Sequence, residues 1–445
     1  MSHTDEGAGA AGGMKLGLAL AGGVLEGGFY EVGVLCALED AIAGLDFTRA
    51  DVYVGVSSGA VITSLLANGV APRTLSRAIL SRAGGGLDLD PNILFTPALG
   101  EYARRVAKIP GLLGGWVKRR IRNPLDMSVI GSLLELGALA PVGLFDSTPM
   151  QRYLARVFSA EGRTNDFRRL RGDLRVVAVK LDTSELVTFG GPGYEHVPIS
   201  RAVQASLSLP GFYCPVTIDG EQYIDGVARR TLNASVALDE GADLLFCVNP
   251  IVPVDVNRAA NGQGDGHAAN GGGANGGGSS DASGGVDGRN GRTGDGKRAR
   301  SLSDYGLPAV LSQTFRTAIH SRMGTGFRSY AHTYPSADVI LVEPDLSDHR
   351  MFFSNIFSFN NRREVCEHAY ASTLRHLREH AGEIGAKLER RGMRLRHEVL
   401  DDPRRVLFAE DEFDARPPSR GVTGEIRGAL DRLGDVLDRI ERSAA

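Results

Sequence analysis

The sequence is poor in cysteine and tryptophan, carries almost no excess charge, and has no long apolar run. Its four cysteines, Cys36, Cys214, Cys247 and Cys366, sit in apolar or helical stretches at no metal-ligand spacing. That argues against a thiolate metal site and for buried free thiols in a reducing compartment. A formal net charge of −3 excludes general nucleic-acid binding, which needs a basic excess. No run of about 18 apolar residues occurs, so no membrane-spanning helix is expected. The stretch KLGLALAGGVL has the apolarity of a signal peptide, but Asp5 and Glu6 precede it where basic residues belong, and glycines and Glu26 break it at once. It reads as a first buried strand and its loop. The expectation is a cytoplasmic protein whose membrane contact is peripheral, at the inner surface.

What is present is enough for a substantial core: 445 residues, 42% of them apolar, suffice for one large α/β domain or two ordinary ones. Residues 1–14 are small and polar and are expected to be disordered. From Lys15 the pattern alternates: strand 16–20, glycine loop, helix 30–41, strand 52–55, helix 60–67. Such alternation predicts a sheet covered on both faces. Residues 73–145 are short apolar pieces broken by glycines. Within them, residues 101–122 hold seven basic side chains against Glu101 alone, with Trp116 among Leu112, Leu113 and Val117. This composition suits an anionic lipid surface, and equally a solvated basic face over ordinary core. Helices follow at 148–158 and 200–207, strands at 174–182 and 186–189, a hairpin turning at Asp219-Gly220, a helix at 234–239 and a buried strand at 243–250. Residues 257–303 are glycine-rich with almost no apolar side chain, as in a flexible insertion. A helix at 308–323, a strand at 337–344 and a long helix at 362–391 complete the same domain, which is expected to run from 15–256 through 304–395. MFFSNIFSF (351–359) is either core or a lipid-contacting lid. The remainder, 396–445, reads as a linker and an amphipathic helix. In that helix Ile426, Leu430, Leu433, Leu437 and Ile440 form a two-heptad seam, suited to docking on the domain or to self-association.

Three motifs carry chemistry. In LALAGGVLEGGFYEVGVL a strand runs into Gly22-Gly23-Val24 and then a helix. Glycines admit close backbone approach, and the first amides of a helix point outward as donors. The spacing does not fit a dinucleotide loop. In DVYVGVSSGAVITSLL, Gly55-Val56-Ser57-Ser58-Gly59 stands between a β-branched strand and an apolar helix, the setting of a G-x-S-x-G nucleophile elbow. In QYIDGVARR, Asp225 ends a strand ahead of Gly226 and Val227. An aspartate can serve a serine as base, although its ordinary pKa of about 3.9 needs burial to raise it. An elbow in the second β-α unit departs from the α/β-hydrolase order of serine, acid and histidine.

The glycine loop, GVSSG and DGV, in this order, resemble the patatin-like phospholipases, closest to a bacterial subgroup with a loop like AGGVLEGGFYEVGVL; RAVQASLSLPGFYCPVTIDGEQYIDGVARR is similar to that family's block around its aspartate. The resemblance implies a patatin-like α/β three-layer sandwich, with a mainly parallel sheet between helices and a nucleophile elbow. It further implies a Ser57–Asp225 dyad without histidine, and an acyl-enzyme whose oxyanion is held by the amides of Gly22, Gly23 and Val24. It implies no metal and no organic cofactor. The partner is a lipid or lipid-like ester. Val24 replaces the family's third loop glycine and Glu26 its basic residue; Glu26 is expected to point away from the oxyanion and to disfavour anionic head groups. Phospholipase A-type ester hydrolysis is the leading expectation. Its rivals are a triacylglycerol lipase or soluble-ester carboxylesterase with the same dyad, and a catalytically weak lipid-surface binding protein.

Overall fold

The computed structural model describes residues 13–80, 87, 90–109, 140–256, 301–348 and 359–408. The Trp116 stretch, the glycine-rich stretch 257–300, residues 351–358 of the aromatic run and the heptad seam 426–440 lie outside them. The described residues up to Leu407 form the first compact unit of the chain.

The centre of the first unit is a sheet. Strands β1 (Leu16–Leu20), β3 (Val52–Val56) and β10 (Leu244–Val248) are buried at every residue, as central parallel strands covered on both faces must be. Strand β2 (Ile42–Ala43) lies apart and pairs with β12 (Arg394–Leu395), and β4 (Gly143–Phe145) pairs with β7 (Gly211–Tyr213). β11 (Asp338–Val342) alternates buried with half-buried residues, the signature of an edge strand. β5 (Asp173–Lys180) joins these four in the parallel order β11–β10–β1–β3–β5. β6 (Leu186–Phe189) and β9 (Glu221–Asp225) both pair antiparallel with β5, and β8 (Val216–Ile218) pairs with β9. The β8–β9 hairpin turns at Asp219 and Gly220, both at positive φ, as the Asp-Gly pair predicts.

The two edges of β5 decide where the chemistry sits. At Val176 and Val177, β5 bonds β3 and β6 together, so these lie on opposite edges. At Ala178 and Val179 it bonds β6 and β9 together. β3 and β9 therefore share one edge, β3 up to Val177 and β9 from Ala178 onward. The C-terminal ends of the two strands meet there.

Helices cover both faces. One face carries Ala19, Val54, Val56 and Cys247; against it pack α6 (Ala234–Asp239) and α7 (Gly306–Thr333). α2 (Ser58–Ala67) covers the other face, next to α1 (Val24–Ala41), and α8 (Arg362–Glu379) lies along α1. α3 (Pro72–Leu80), α4 (Thr148–Phe158) and α5 (Ile199–Ser206) pack beside α1 and α2, α4 reaching them through α5. This is the three-layer, mainly parallel architecture that the sequence predicts.

Four elements differ from the expectation. α1 begins at Val24, within the expected glycine loop, and not at residue 30. α7 extends to Thr333 through Gly324 and Gly326, because Met323, Phe327 and Tyr330 pack on the sheet and outweigh glycine's low helix propensity. The single helix expected over 362–391 is two, with a break at His380 before α9 (Ala381–Arg390). Ordered structure also continues past residue 395: β12 pairs with β2, and α10 (His397–Leu400) buries Val399 and Leu400.

Candidate active site

Ser57 stands at the turn between β3 and α2, with φ 54° and ψ −120°. A side chain at positive φ is strained, and such strain persists only where the surroundings enforce it. Here they do. The Ser57 amide donates to Ser206 Oγ at 2.8 Å, and that hydroxyl donates to the Val177 carbonyl at 2.6 Å. Gly59 crosses β1 so closely that a Cβ would stand 2.6 Å from the carbonyl oxygens of Leu20 and Ala21. Val56 pairs with Val177, which places Ser57 at the level where β9 ends.

Asp225 is the residue at that end. It pairs with Ala178, its amide donates to the Ser208 carbonyl at 3.0 Å, and its carboxylate accepts the Val227 amide at 2.9 Å as the cap of a short 3-10 turn, Gly226–Ala228. The Ser57 hydroxyl lies beside the same carboxylate and favours its charged form. Burial pushes this carboxyl up to about 7, while Ser57 and the Val227 amide act to lower it. A carboxylate of that basicity beside a hydroxyl can take its proton near neutral pH.

The glycine loop closes the other side. The Gly22 amide donates to the Thr231 carbonyl at 3.2 Å, and the Gly23 amide to Ser58 Oγ at 3.0 Å. Val24 opens α1 at φ 57° and lines one cavity with Ser57 and Ser58. The first amides of a helix have no carbonyl one turn back to bond. The N-termini of α1 and α2 thus converge beside Ser57, where their dipoles favour negative charge. Gly22 must be small because Val227 fills the space: a Cβ there would be 2.3 Å from Val227 Cγ2.

The cavity leading from Ser57 has a volume of about 180 Å³ and is almost wholly apolar. Its wall draws on α1, α2, α3 and α4, with Ile62, Ala78, Leu154 and Tyr213 among the side chains, and no histidine among the described residues lines it. Phe95 and Phe359 also line it. Phe359 is held by Phe29 edge-on at 5.6 Å and by the Arg362 guanidinium over its ring. Among the described residues no cluster of three or more histidine, cysteine or acidic side chains could hold a metal ion, and no helix is long and apolar enough to cross a membrane.

The structure brings Ser57, Asp225, the elbow residues Gly55, Val56, Ser58 and Gly59, the loop residues Gly22, Gly23 and Val24, and the pair Gly226 and Val227 to one place. Glu26 is buried and lies outside the cavity wall; burial pushes its carboxyl up to about 7, with the charge of Arg316 acting to lower it. Sequence reasoning missed Ser206, which holds the elbow amide, and Ser58 Oγ as the tie to the loop. Neither follows a spacing rule; Ser206 reaches Ser57 only because α5 packs over the end of β5.

A family model of the patatin-like phospholipases matches residues 18–238. Among solved structures, VipD from Legionella pneumophila is similar at 17% identity, over 57% of this chain and 53% of that one, with a TM-score of 0.30. A chain of the complex of full-length SpcU with full-length ExoU, from the type III secretion system of Pseudomonas aeruginosa, is similar at 17% identity, over 44% of this chain and 38% of that one, with a TM-score of 0.24. The chain thus matches about half or less of the length of each.

Proposed function

Through residues 18–238 the chain belongs to the patatin-like phospholipase family, a family of lipid acyl hydrolases, and from that premise we propose that it cleaves carboxylic esters of lipids by way of an acyl-enzyme on Ser57. Asp225 accepts the hydroxyl proton as Oγ attacks the ester carbonyl. The oxyanion forms beside the N-termini of α1 and α2, with the first amides of these helices, that of Val24 among them, as donors. Asp225 then returns the proton to the leaving alcohol and activates water for the second half. The acyl chain lies in the apolar cavity. The observation that carries this reading is the strained Ser57 beside a buried carboxylate, at the wall of that cavity. The amides of Gly22 and Gly23, proposed as oxyanion donors on family resemblance, serve in that role on releasing Thr231 and Ser58.

Intact-protein mass spectrometry after a fluorophosphonate probe tests the proposal. A single adduct on wild type, absent in Ser57→Ala and slowed in Asp225→Asn, is the expected result. No adduct on the folded protein, with or without micelles, would sink it. That outcome favours the second reading, a lipid-surface binder of feeble catalysis, whose support is that Gly22 and Gly23 already spend their amides inside the protein.

A further inference from the structure

The cavity wall has an outer side. β4 turns its side chains both ways: Gly143 is buried, Leu144 is exposed and Phe145 is half-buried. Phe145 packs edge-on against Phe95 at 5.6 Å and beside Tyr213 at 6.3 Å, and Phe95 and Tyr213 line the cavity. Alternation along the strand then turns Leu144 away from the cavity. The segment before β4 is tied to the same strand. The Ala98 amide donates to the Leu144 carbonyl at 3.1 Å, and the Asp146 amide to that of Thr96 at 2.8 Å. Helical backbone over 99–109 follows, and the Tyr102 hydroxyl of its first turn donates to the Leu144 carbonyl at 3.0 Å. β4 and residues 95–109 thus form one shelf whose inner side is cavity wall.

The outer side is apolar where a solvated face would be polar. Leu99, Val142 and Leu144 are each 43% exposed, and Val106 is 63% exposed. Leu99, Tyr102 and Val106 recur at steps of three and four, so they share one helix face, and Tyr102 sets that face against β4. Singly such residues are ordinary; gathered on one tied shelf they mark a contact surface. Its charge is largely of one sign. Residues 97–109 hold Arg104, Arg105 and Lys108 against Glu101 alone, and residues 140–145 hold no charge. Glu101 is buried and paired with Arg104 at 3.0 Å and Arg105 at 2.6 Å. Arg104 keeps most of its side chain in solvent, and Lys108 is exposed. An apolar face edged by basic side chains, with its one acid turned inward and neutralised, is complementary to the head-group boundary of an anionic bilayer.

We infer that this outer side, formed by Leu99, Val106, Val142 and Leu144 with Arg104 and Lys108 at its edge, is the surface by which the protein seats on an anionic phospholipid bilayer, with the cavity wall directly behind it. The cavity explains the choice of occupant. An acyl chain that crosses water to reach it exposes every methylene on the way, whereas a wall lying against the bilayer spares that exposure. That choice rests on the hydrolase reading. The four apolar residues lie outside the cavity wall, so their contact is with the bilayer and not with the reacting ester.

Binding is read with the full chain carrying Ser57→Ala, by co-sedimentation with phosphatidylcholine vesicles with and without phosphatidylglycerol. Hydrolysis is read with Ser57 intact, on the same vesicles and on a short soluble ester. The unaltered surface should bind the mixed vesicles, and high salt should weaken that binding. Val106→Ser combined with Leu144→Ser should lower the partition coefficient at least about tenfold. Lys108→Glu should lower it about tenfold on the mixed vesicles and leave it unchanged on phosphatidylcholine alone. Leu144→Trp, a gain that misfolding cannot mimic, should raise it several-fold. Turnover of the soluble ester should stay at the wild-type rate in every variant, while turnover on vesicles falls and rises with binding. Binding that these variants leave unchanged overturns the inference, as does a wild type that binds neither vesicle. A wild type that is dimeric in solution, and that the paired serine variant makes monomeric without loss of vesicle binding, overturns it too and gives the face to a second copy. Binding that follows the variants as expected, in a protein that hydrolyses neither substrate, upholds the surface and rejects the hydrolase reading instead.

Discussion

Ser57 and Asp225 meet because two strands share one edge of β5: β3 ends at Val56 opposite Val177, and β9 ends at Asp225 opposite Ala178, the next residue along. A parallel strand and an antiparallel strand run toward each other along that edge. Each is terminated by a glycine-flanked turn, and the hydroxyl of one turn falls against the carboxylate of the other. No loop flexibility is needed to assemble the pair.

The strain at Ser57 is measurable. Glycine adopts φ 54° without steric cost, whereas alanine keeps the Cβ that makes it unfavourable. Ser57→Gly should be more stable than Ser57→Ala by about 1–2 kcal/mol in denaturant unfolding, with both inactive. Equal stability of the two would mean that the turn relaxes.

Asp225 ties stability to pH with an inverted sign. Its folded pKa, about 7, lies above the ordinary carboxylate value, so between about pH 4 and 7 the folded state holds a proton that the unfolded state has lost. Its contribution therefore declines as pH rises through that window, while the hydrolysis rate climbs with an apparent pKa near 7. Asp225→Asn should be the more stable protein above pH 7, by on the order of a few kcal/mol, and should lose the pH dependence of the residual rate. Urea titrations at pH 5 and 8 check the first statement; a pH–rate profile checks the second.

Ser206 both accepts the Ser57 amide and donates to Val177, so Ser206→Ala leaves a buried amide and a buried carbonyl without their partner. A loss of about 1–3 kcal/mol in stability is expected. The turn should also loosen, lowering kcat about tenfold with KM little changed. Ser206→Thr, which keeps the hydroxyl, should recover part of both. A Ser206→Ala protein with wild-type kcat would show that the amide contact does not hold the nucleophile.

Chain length should be read by the cavity wall. Ala78 lines it from α3. Ala78→Phe fills space that an acyl chain would take, and each methylene so displaced forfeits about 0.8 kcal/mol of burial. The variant should keep its rate on butyryl esters and lose long-chain substrates progressively. A uniform loss across chain lengths would place the acyl group elsewhere.

The local features of this protein are legible in its residues. Continuous apolar runs mark β1, β3 and β10 as buried on both faces, Asp219-Gly220 marks a hairpin, and G-x-S-x-G between a strand and an apolar helix marks the elbow. Each is decided by backbone preferences and side-chain burial within a few neighbouring positions, and so each is written in a short stretch. Other features required the fold: the shared edge that brings Asp225 to Ser57, the Ser206 hydroxyl beneath the elbow, and the cavity whose wall draws on four helices. These depend on strand order, register and helix docking between residues far apart in the chain. Such contacts are selected by the packing of the whole core, and no local spacing encodes them.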